Sequence, residues 1–102
     1  MRSNKIKSYL GFSVKSGNVI FGSDKLFESK KKPKLVIVCS LQNEKVTNKV
    51  LKLCKENNIT CIKLIDITLA DLICRDNCKV VGVLDDNLAQ AIIKEFEMGN
   101  EN

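Results

Sequence analysis

The sequence predicts an α/β protein, a three-layer α/β/α sandwich with a four-stranded mixed sheet and about five helices. Helical and strand-like patterns alternate along the whole chain. Two runs, at 35–39 and 80–84, are apolar almost without a break, which indicates strands covered on both faces. A length of 102 residues leaves room for one core only. We therefore expect a single domain at 1–97 and a flexible tail at 98–102.

The first helix is predicted from one apolar face. Ser3 or Asn4 can cap its start, and Gly17 can end it as a left-handed cap. Its inward positions recur at the spacing of a helical face; they are Ile6, Tyr9, Leu10 and Val14. A short β-prone run at 18–21 follows, and its brevity predicts an edge strand.

The second helix and the central strand lie on either side of Pro33. Ser23 can cap a helix that carries Leu26 and Phe27 and stops before Pro33, because proline cannot continue a helix. The unbroken apolar run at 35–39 then belongs in the middle of the sheet. Helices must therefore cover both faces of the sheet.

The second half of the chain continues the alternation. It contains a helix at about 43–57, a strand at 60–65, a short helix opened by a Thr-x-x-Asp capping box at 68–71, a strand at 79–84, and a last helix capped by Asp85 and Asp86. The inward positions of the two long helices are Val46, Val50, Leu53 and Cys54 in the first, and Leu88, Ala91, Ile92 and Phe96 in the second.

Positive charge is concentrated at the start of the chain. Residues 1–34 contain nine Lys or Arg side chains and two acidic ones, a net charge of +7, whereas the whole chain carries +5. This asymmetry is typical of a protein that meets phosphates with one end of its fold. The alternative, that the lysines only keep the surface soluble, stays open at this point.

Few residues could carry out catalysis. The chain has no histidine, the commonest general acid and base, and no glycine-rich phosphate-binding motif, so we expect neither enzyme activity nor a cofactor. A nucleophilic thiolate at Cys39 is the enzymatic alternative, but without a histidine to activate it Cys39 is better explained as core. Cys74 and Cys78 offer only two ligands, so no metal site is predicted.

The compartment is predicted from the cysteines and from segments that the sequence lacks. Five cysteines are an odd number, and Cys39, Cys54 and Cys61 fall at apolar positions, which favours buried thiols in a reducing compartment over disulfides. No apolar run approaches the roughly 20 residues of a membrane span, and no signal peptide is evident. We expect a cytoplasmic protein with no membrane partner.

A strand-to-helix turn in the basic third of the chain is the candidate binding site. Gly22 permits close approach to the backbone, and the N–H groups of the first helical turn favour an anion such as a nucleic-acid phosphate. Asp24 and Lys25 supply an acceptor and a donor, the pair needed to read a guanine edge. Alternatively, Ser23 and Asp24 only begin a capped helix.

Segments spread over nearly the whole chain resemble one family. Their order and spacing carry the resemblance; they are 5–17, Gly22 with the lysine-rich helix end after it, 34–38, 51–55, 80–83 and Leu88-Ala89. The sequence resembles the kink-turn RNA-binding ribosomal proteins, a superfamily that includes archaeal ribosomal protein seven-Ae, eukaryotic large-subunit protein thirty-e and Gadd-forty-five. The bacterial YlxQ-like branch looks most similar. The resemblance implies the same α/β/α sandwich.

Two segments of this family contact RNA. One opens the second helix with a Gly-x-Asn-Glu-like pattern that reads sheared G·A pairs; the matching residues here are Gly22, Ser23, Asp24 and Lys25. The other is a loop before the last strand that packs apolar groups against a flipped-out base; the matching residues here are Ile73, Cys74 and Arg75. This sequence has Asp-Lys in place of Asn-Glu, and its loop lacks the usual glycines.

The sequence therefore predicts an RNA-binding protein on or near the ribosome, with structured, kink-turn-like RNA rather than DNA as its partner. Phosphates would be held by three consecutive lysines, Lys30, Lys31 and Lys32. Base edges would be met by Asp24 and Lys25. The rival prediction is a protein-interaction module on the same scaffold, without specificity for kink-turns.

Overall fold

Helices cover both faces of a four-stranded sheet in the computed structural model, which describes residues 3–39, 42–64 and 79–99. The helices of this part are α1 (Ser3–Lys15), α2 (Ser23–Glu28), α3 (Glu44–Glu56) and α4 (Asp86–Gly99). The strands are β1 (Val19–Phe21), β2 (Leu35–Cys39), β3 (Thr60–Leu64) and β4 (Val80–Val83). The predicted α/β/α sandwich is confirmed. The short helix predicted from residue 68 lies outside the described residues.

The sheet is mixed and has the order β1-β4-β2-β3. β4 pairs antiparallel with both β1 and β2, whereas β2 and β3 run parallel and are joined through α3. β2 is therefore an inner strand, as its apolar run predicts, and all five of its residues are buried. β1 has three residues and lies at an edge, as its brevity predicts.

Alternate residues of β2 face opposite layers of helices. Leu35, Ile37 and Cys39 belong to the core under α1 and α4, whereas Val36 and Val38 belong to the core under α2 and α3. We call residues 3–17 and 85–99 the α1/α4 layer, and residues 22–34 and 44–56 the α2/α3 layer. The helical side chains buried in the first core are Ile6, Leu10, Ala89 and Ile92. Those in the second are Leu26, Val50 and Cys54.

The ends of the helices follow local chemistry. Gly17 has a φ of 73°, so it forms the left-handed end of α1 that the sequence predicts. The side chain of Asn43 caps α3 by accepting a hydrogen bond from the Lys45 N–H at 2.8 Å. Asp85 caps α4, as predicted, because its Oδ1 accepts a bond from the Leu88 N–H at 3.0 Å.

One residue of α1 is exposed although the sequence predicts that it faces inward. Val14, expected to face inward, is 36% exposed, and Ser13 is fully buried instead. Ser13 follows Leu10 by three residues and therefore lies on the same helical face. Its hydroxyl donates to the Tyr9 carbonyl at 3.1 Å, which satisfies the buried polar group. Helical geometry therefore outweighs the hydrophobicity of valine here.

A close contact holds the connection between α2 and β2 against the sheet. Gly82 lies in β4, and a Cβ at its position would be 3.1 Å from the Cβ of Pro33 and 3.3 Å from Cδ1 of Leu26. A glycine is therefore needed for Pro33 and Leu26 to pack directly on the strand. The backbone N–H of Lys34 also donates to the Val83 carbonyl at 2.7 Å. This anchors the segment that carries the three consecutive lysines.

Candidate nucleic-acid interface

The turn between β1 and α2 forms what we call the Gly22 corner, made of Gly22, Ser23, Asp24 and Lys25. Gly22 has φ 87° and ψ 152°, a conformation that glycine adopts without steric cost. Its N–H donates to the Val80 carbonyl at 2.9 Å, and its carbonyl accepts from the Leu26 N–H at 3.1 Å. The corner is therefore fixed both to β4 and to the first turn of α2.

The N-cap of α2 at the Gly22 corner differs from the prediction. Gly22, rather than Ser23, is the N-cap of α2, and no side chain caps the helix. Ser23 is the first helical residue because the Gly22 carbonyl already accepts the first helical hydrogen bond. Asp24 and Lys25 are both exposed. Their charged groups are thus directed to solvent instead of being used in local capping.

An open cleft of about 450 Å³ lies in front of the Gly22 corner. Besides the corner itself, it is lined by Phe21, Gln42, Lys79 and Val80. The described residues leave open space within 4 Å of the point that a Cβ on Gly22 would occupy, so a ligand can approach this backbone closely. The cleft also brings the exposed side chain of Lys79 beside the corner. Lys79 was not predicted as a site residue.

The topology of the sheet explains why Lys79 reaches the corner. β4 runs opposite to its neighbours β1 and β2, so its first residues lie beside the last residues of those strands. The Lys79 carbonyl accepts a hydrogen bond from the Cys39 N–H at 2.8 Å, which ties Lys79 to the end of β2. This edge carries the carboxyl ends of three strands, the edge at which open α/β sheets commonly place ligands.

The second predicted RNA contact falls outside the described residues. Its members are Ile73, Cys74 and Arg75. The described chain stops at Leu64, the last residue of β3, and resumes at Lys79, directly before β4. Both flanking residues lie at the edge of the sheet that carries the Gly22 corner, because β3 is parallel to β2. The contact itself stays a prediction.

The three consecutive lysines, Lys30, Lys31 and Lys32, lie away from the Gly22 corner. We call them the lysine triplet; all three are exposed and follow the end of α2, where the Ser29 hydroxyl donates to the Lys31 carbonyl at 2.7 Å. The triplet comes just before the contact of Lys34 with Val83, at the far end of β4 from Val80. The six residues of α2 separate corner and triplet by about 9 Å of helix, a distance that one polynucleotide can span.

The two helical layers differ in charge. The α2/α3 layer contains nine lysines and four acidic residues. The α1/α4 layer contains four lysines and four acidic residues. The basic character predicted for the first third of the chain is therefore continued on α3, which lies beside α2 on the same face of the sheet.

The cysteines of the described residues are buried or partly buried. Cys39 is 2% exposed and belongs to the core, as predicted. Cys54 donates a thiol hydrogen bond to Cys61, which lowers the pKa of Cys61 below its usual value although partial burial opposes this. The same bond, together with burial, raises the pKa of Cys54. No group of three or more His, Cys, Asp or Glu within 3–39, 42–64 and 79–99 could hold a metal ion.

Comparisons with known proteins bear on the fold. No protein-family model matches the sequence, and no curated protein matches it. A solved structure of a protein with unknown function from Bacillus halodurans is similar over 91% of this chain and 97% of its own, with a TM-score of 0.82 and 20% identity. At this identity the similarity concerns the fold alone. Within the described ranges, no helix is long and apolar enough to cross a membrane.

Proposed function

We propose that this protein binds RNA and docks on a kinked RNA helix through the Gly22 corner. The observation that carries the proposal is the open cleft, which is lined by an approachable backbone at Gly22 and by the exposed cations Lys25 and Lys79. Cations around an accessible backbone suit the phosphates of a nucleic acid. The resemblance to the kink-turn ribosomal proteins supports RNA rather than DNA, in the cytoplasm on or near the ribosome, without catalysis.

The roles of the residues follow from their chemistry. Asp24 would accept hydrogen bonds from the N–H groups of a guanine, and Lys25 would donate to its O6 and N7. Lys79 would contact a phosphate next to the base that is read. The lysine triplet would hold phosphates farther along the same RNA, and these contacts carry no sequence information.

The experiment is a titration of the purified protein with a kink-turn RNA and with a straight duplex of equal length, at two salt concentrations. Lys25→Ala should weaken binding to the kink-turn RNA by roughly fivefold to a hundredfold, because a base contact is lost, and should change duplex binding much less. Lys15→Ala, on the exposed surface of α1, is the matched control and should change neither. Equal losses on both RNAs for Lys25→Ala would contradict a base-reading role.

A second candidate function is a protein-interaction module on the same fold. Phe12 on α1 is 61% exposed and lines a groove of about 250 Å³, and aromatic side chains are enriched in protein contacts. Such a module would bind kinked and straight RNA equally weakly. It would instead retain a protein partner in a pull-down at high salt after nuclease treatment, whereas a complex bridged by RNA would dissociate.

A further inference from the structure

A second groove lies on the α2/α3 layer and shares no lining residue with the cleft at the Gly22 corner. It has a volume of about 300 Å³ and is lined by Phe27, Lys49, Lys52, Leu53 and Glu56; we call it the Phe27 groove. Phe27 is 37% exposed, whereas its neighbour Leu26 is fully buried and fills the core. Leu26 therefore anchors α2, and the aromatic ring of Phe27 forms part of the groove wall.

Two lysines and one glutamate line the Phe27 groove. Lys49 and Lys52 line it from α3, and the lysine triplet begins three residues after Phe27. Lys52 lies 4.0 Å from Oε1 of Glu56, an exposed pair that contributes little stability. Neither Lys49 nor the triplet forms an ion pair with another described residue. The groove thus combines one exposed aromatic ring with Lys49, which pairs with no carboxylate of the described residues, and the lysine triplet follows Phe27 closely in the chain.

We propose that the Phe27 groove binds single-stranded RNA, with one unpaired base stacked on the ring of Phe27 and the adjacent phosphates held by Lys49 and the lysine triplet. A cationic groove with an aromatic platform is the arrangement that binds single strands regardless of sequence, because every base has a face that can stack. An acidic protein segment would also be attracted by these lysines, but an exposed ring among cations favours a base carried on phosphates.

This inference goes beyond the proposed function. The lysine triplet, which follows Phe27 in the chain, and the Gly22 corner are at opposite ends of α2. The Phe27 groove and the cleft at the corner share no lining residue, and the groove is proposed to take an unpaired strand rather than a kinked helix. An RNA with a single-stranded extension could therefore occupy both surfaces at once. The two proposals fail separately, because Lys25→Ala tests the corner with kink-turn RNA and leaves the groove unchanged.

The experiment compares two probes on the full chain: a single-stranded RNA of about twelve nucleotides and an abasic oligonucleotide of the same length and charge. Phe27→Ala should weaken binding of the RNA by roughly fivefold to a hundredfold, because stacking is lost, and should leave binding of the abasic probe unchanged. Phe27→Tyr keeps the ring and should retain binding. Phe12→Ala, which removes an exposed ring on the opposite layer, is the matched control and should retain it as well.

Phe27→Leu separates the loss of stacking from a loss of folding. Leucine keeps an apolar side chain against α3, so this variant should remain folded by circular dichroism while it loses the same RNA affinity as Phe27→Ala. Equal effects of Phe27→Ala on both probes, or no effect on either, would overturn the proposal. Displacement of the RNA by a polyglutamate peptide of equal charge, with the same loss of peptide binding in Phe27→Ala, would also overturn it in favour of a protein partner.

Discussion

The α1/α4 layer and the α2/α3 layer pack on the sheet in the same manner but present different surfaces. Each buries its own apolar cluster against alternate residues of the inner strands. The α2/α3 layer has nine lysines against four acidic residues, whereas the α1/α4 layer has four of each. Because the layer with balanced charge also buries an apolar core, folding does not require the excess of lysine. In the proposed function, this excess of lysine is what would attract the polyanion.

The ion pairs of the two layers differ in exposure, as the surfaces of the layers differ in charge. In the α1/α4 layer, Lys5 of α1 lies 3.7 Å from Oε1 of Glu95 on α4, and Glu95 is only 8% exposed. This pair joins two helices, so its charges serve the packing of the layer. In the α2/α3 layer, the pair between Lys52 and Glu56 lies on one helix and is exposed at both ends. The charges of this second pair therefore face solvent rather than another helix.

The largest expected effect tests whether the two cores are equivalent. Leu10 and Leu26 are both fully buried, one under each layer. Leu10→Ala and Leu26→Ala should each lower the free energy of unfolding by about 2–5 kcal/mol, through lost burial and a residual cavity. Urea denaturation measures both. A loss below about 1 kcal/mol for Leu26→Ala alone would mean that the α2/α3 layer is packed more loosely on the sheet. The two cores would then not be equivalent.

A smaller effect is expected in the reactivity of the thiols, which should differ between the two cores. The hydrogen bond from Cys54 lowers the pKa of Cys61, so the Cys61 thiolate forms at a lower pH than that of an ordinary cysteine. As the pH is raised, iodoacetamide should therefore modify Cys61 before buried Cys39, as peptide mass spectrometry would detect. Cys54→Ala removes the donor, and burial then raises the pKa of Cys61, so modification at neutral pH should slow. Unchanged rates would exclude the hydrogen bond.

Much of the fold could be predicted because its patterns are local. The apolar run at 35–39 and the caps at Gly17 and Asp85 depend on neighbouring residues, and the structure has them as predicted. The Gly22 corner was also visible, since a glycine between a strand and a helix is a local feature. Ser13 was missed because the prediction ranked positions by hydrophobicity, and a serine that bonds its own helix can be buried.

The composition of the candidate site could be predicted only in part. Lys79 reaches the Gly22 corner through the antiparallel pairing of β1 with β4, a contact between distant parts of the chain that no local pattern contains. The position of the lysine triplet near the far end of β4 likewise depends on contacts of Pro33 and Lys34 with that strand. The Phe27 groove was missed because Phe27 was predicted only as part of a helix, and its exposure depends on how α2 meets α3.

The most direct test of the account compares charge reversals on the two layers. Lys31→Glu on the α2/α3 layer and Lys7→Glu on the α1/α4 layer both change exposed lysines. Binding to RNA is measured for each over a series of salt concentrations. We predict that Lys31→Glu lowers the affinity roughly tenfold at about 0.1 M salt and reduces the salt slope by about one, whereas Lys7→Glu changes neither. An equal or larger loss for Lys7→Glu would contradict an RNA-binding face formed by the α2/α3 layer.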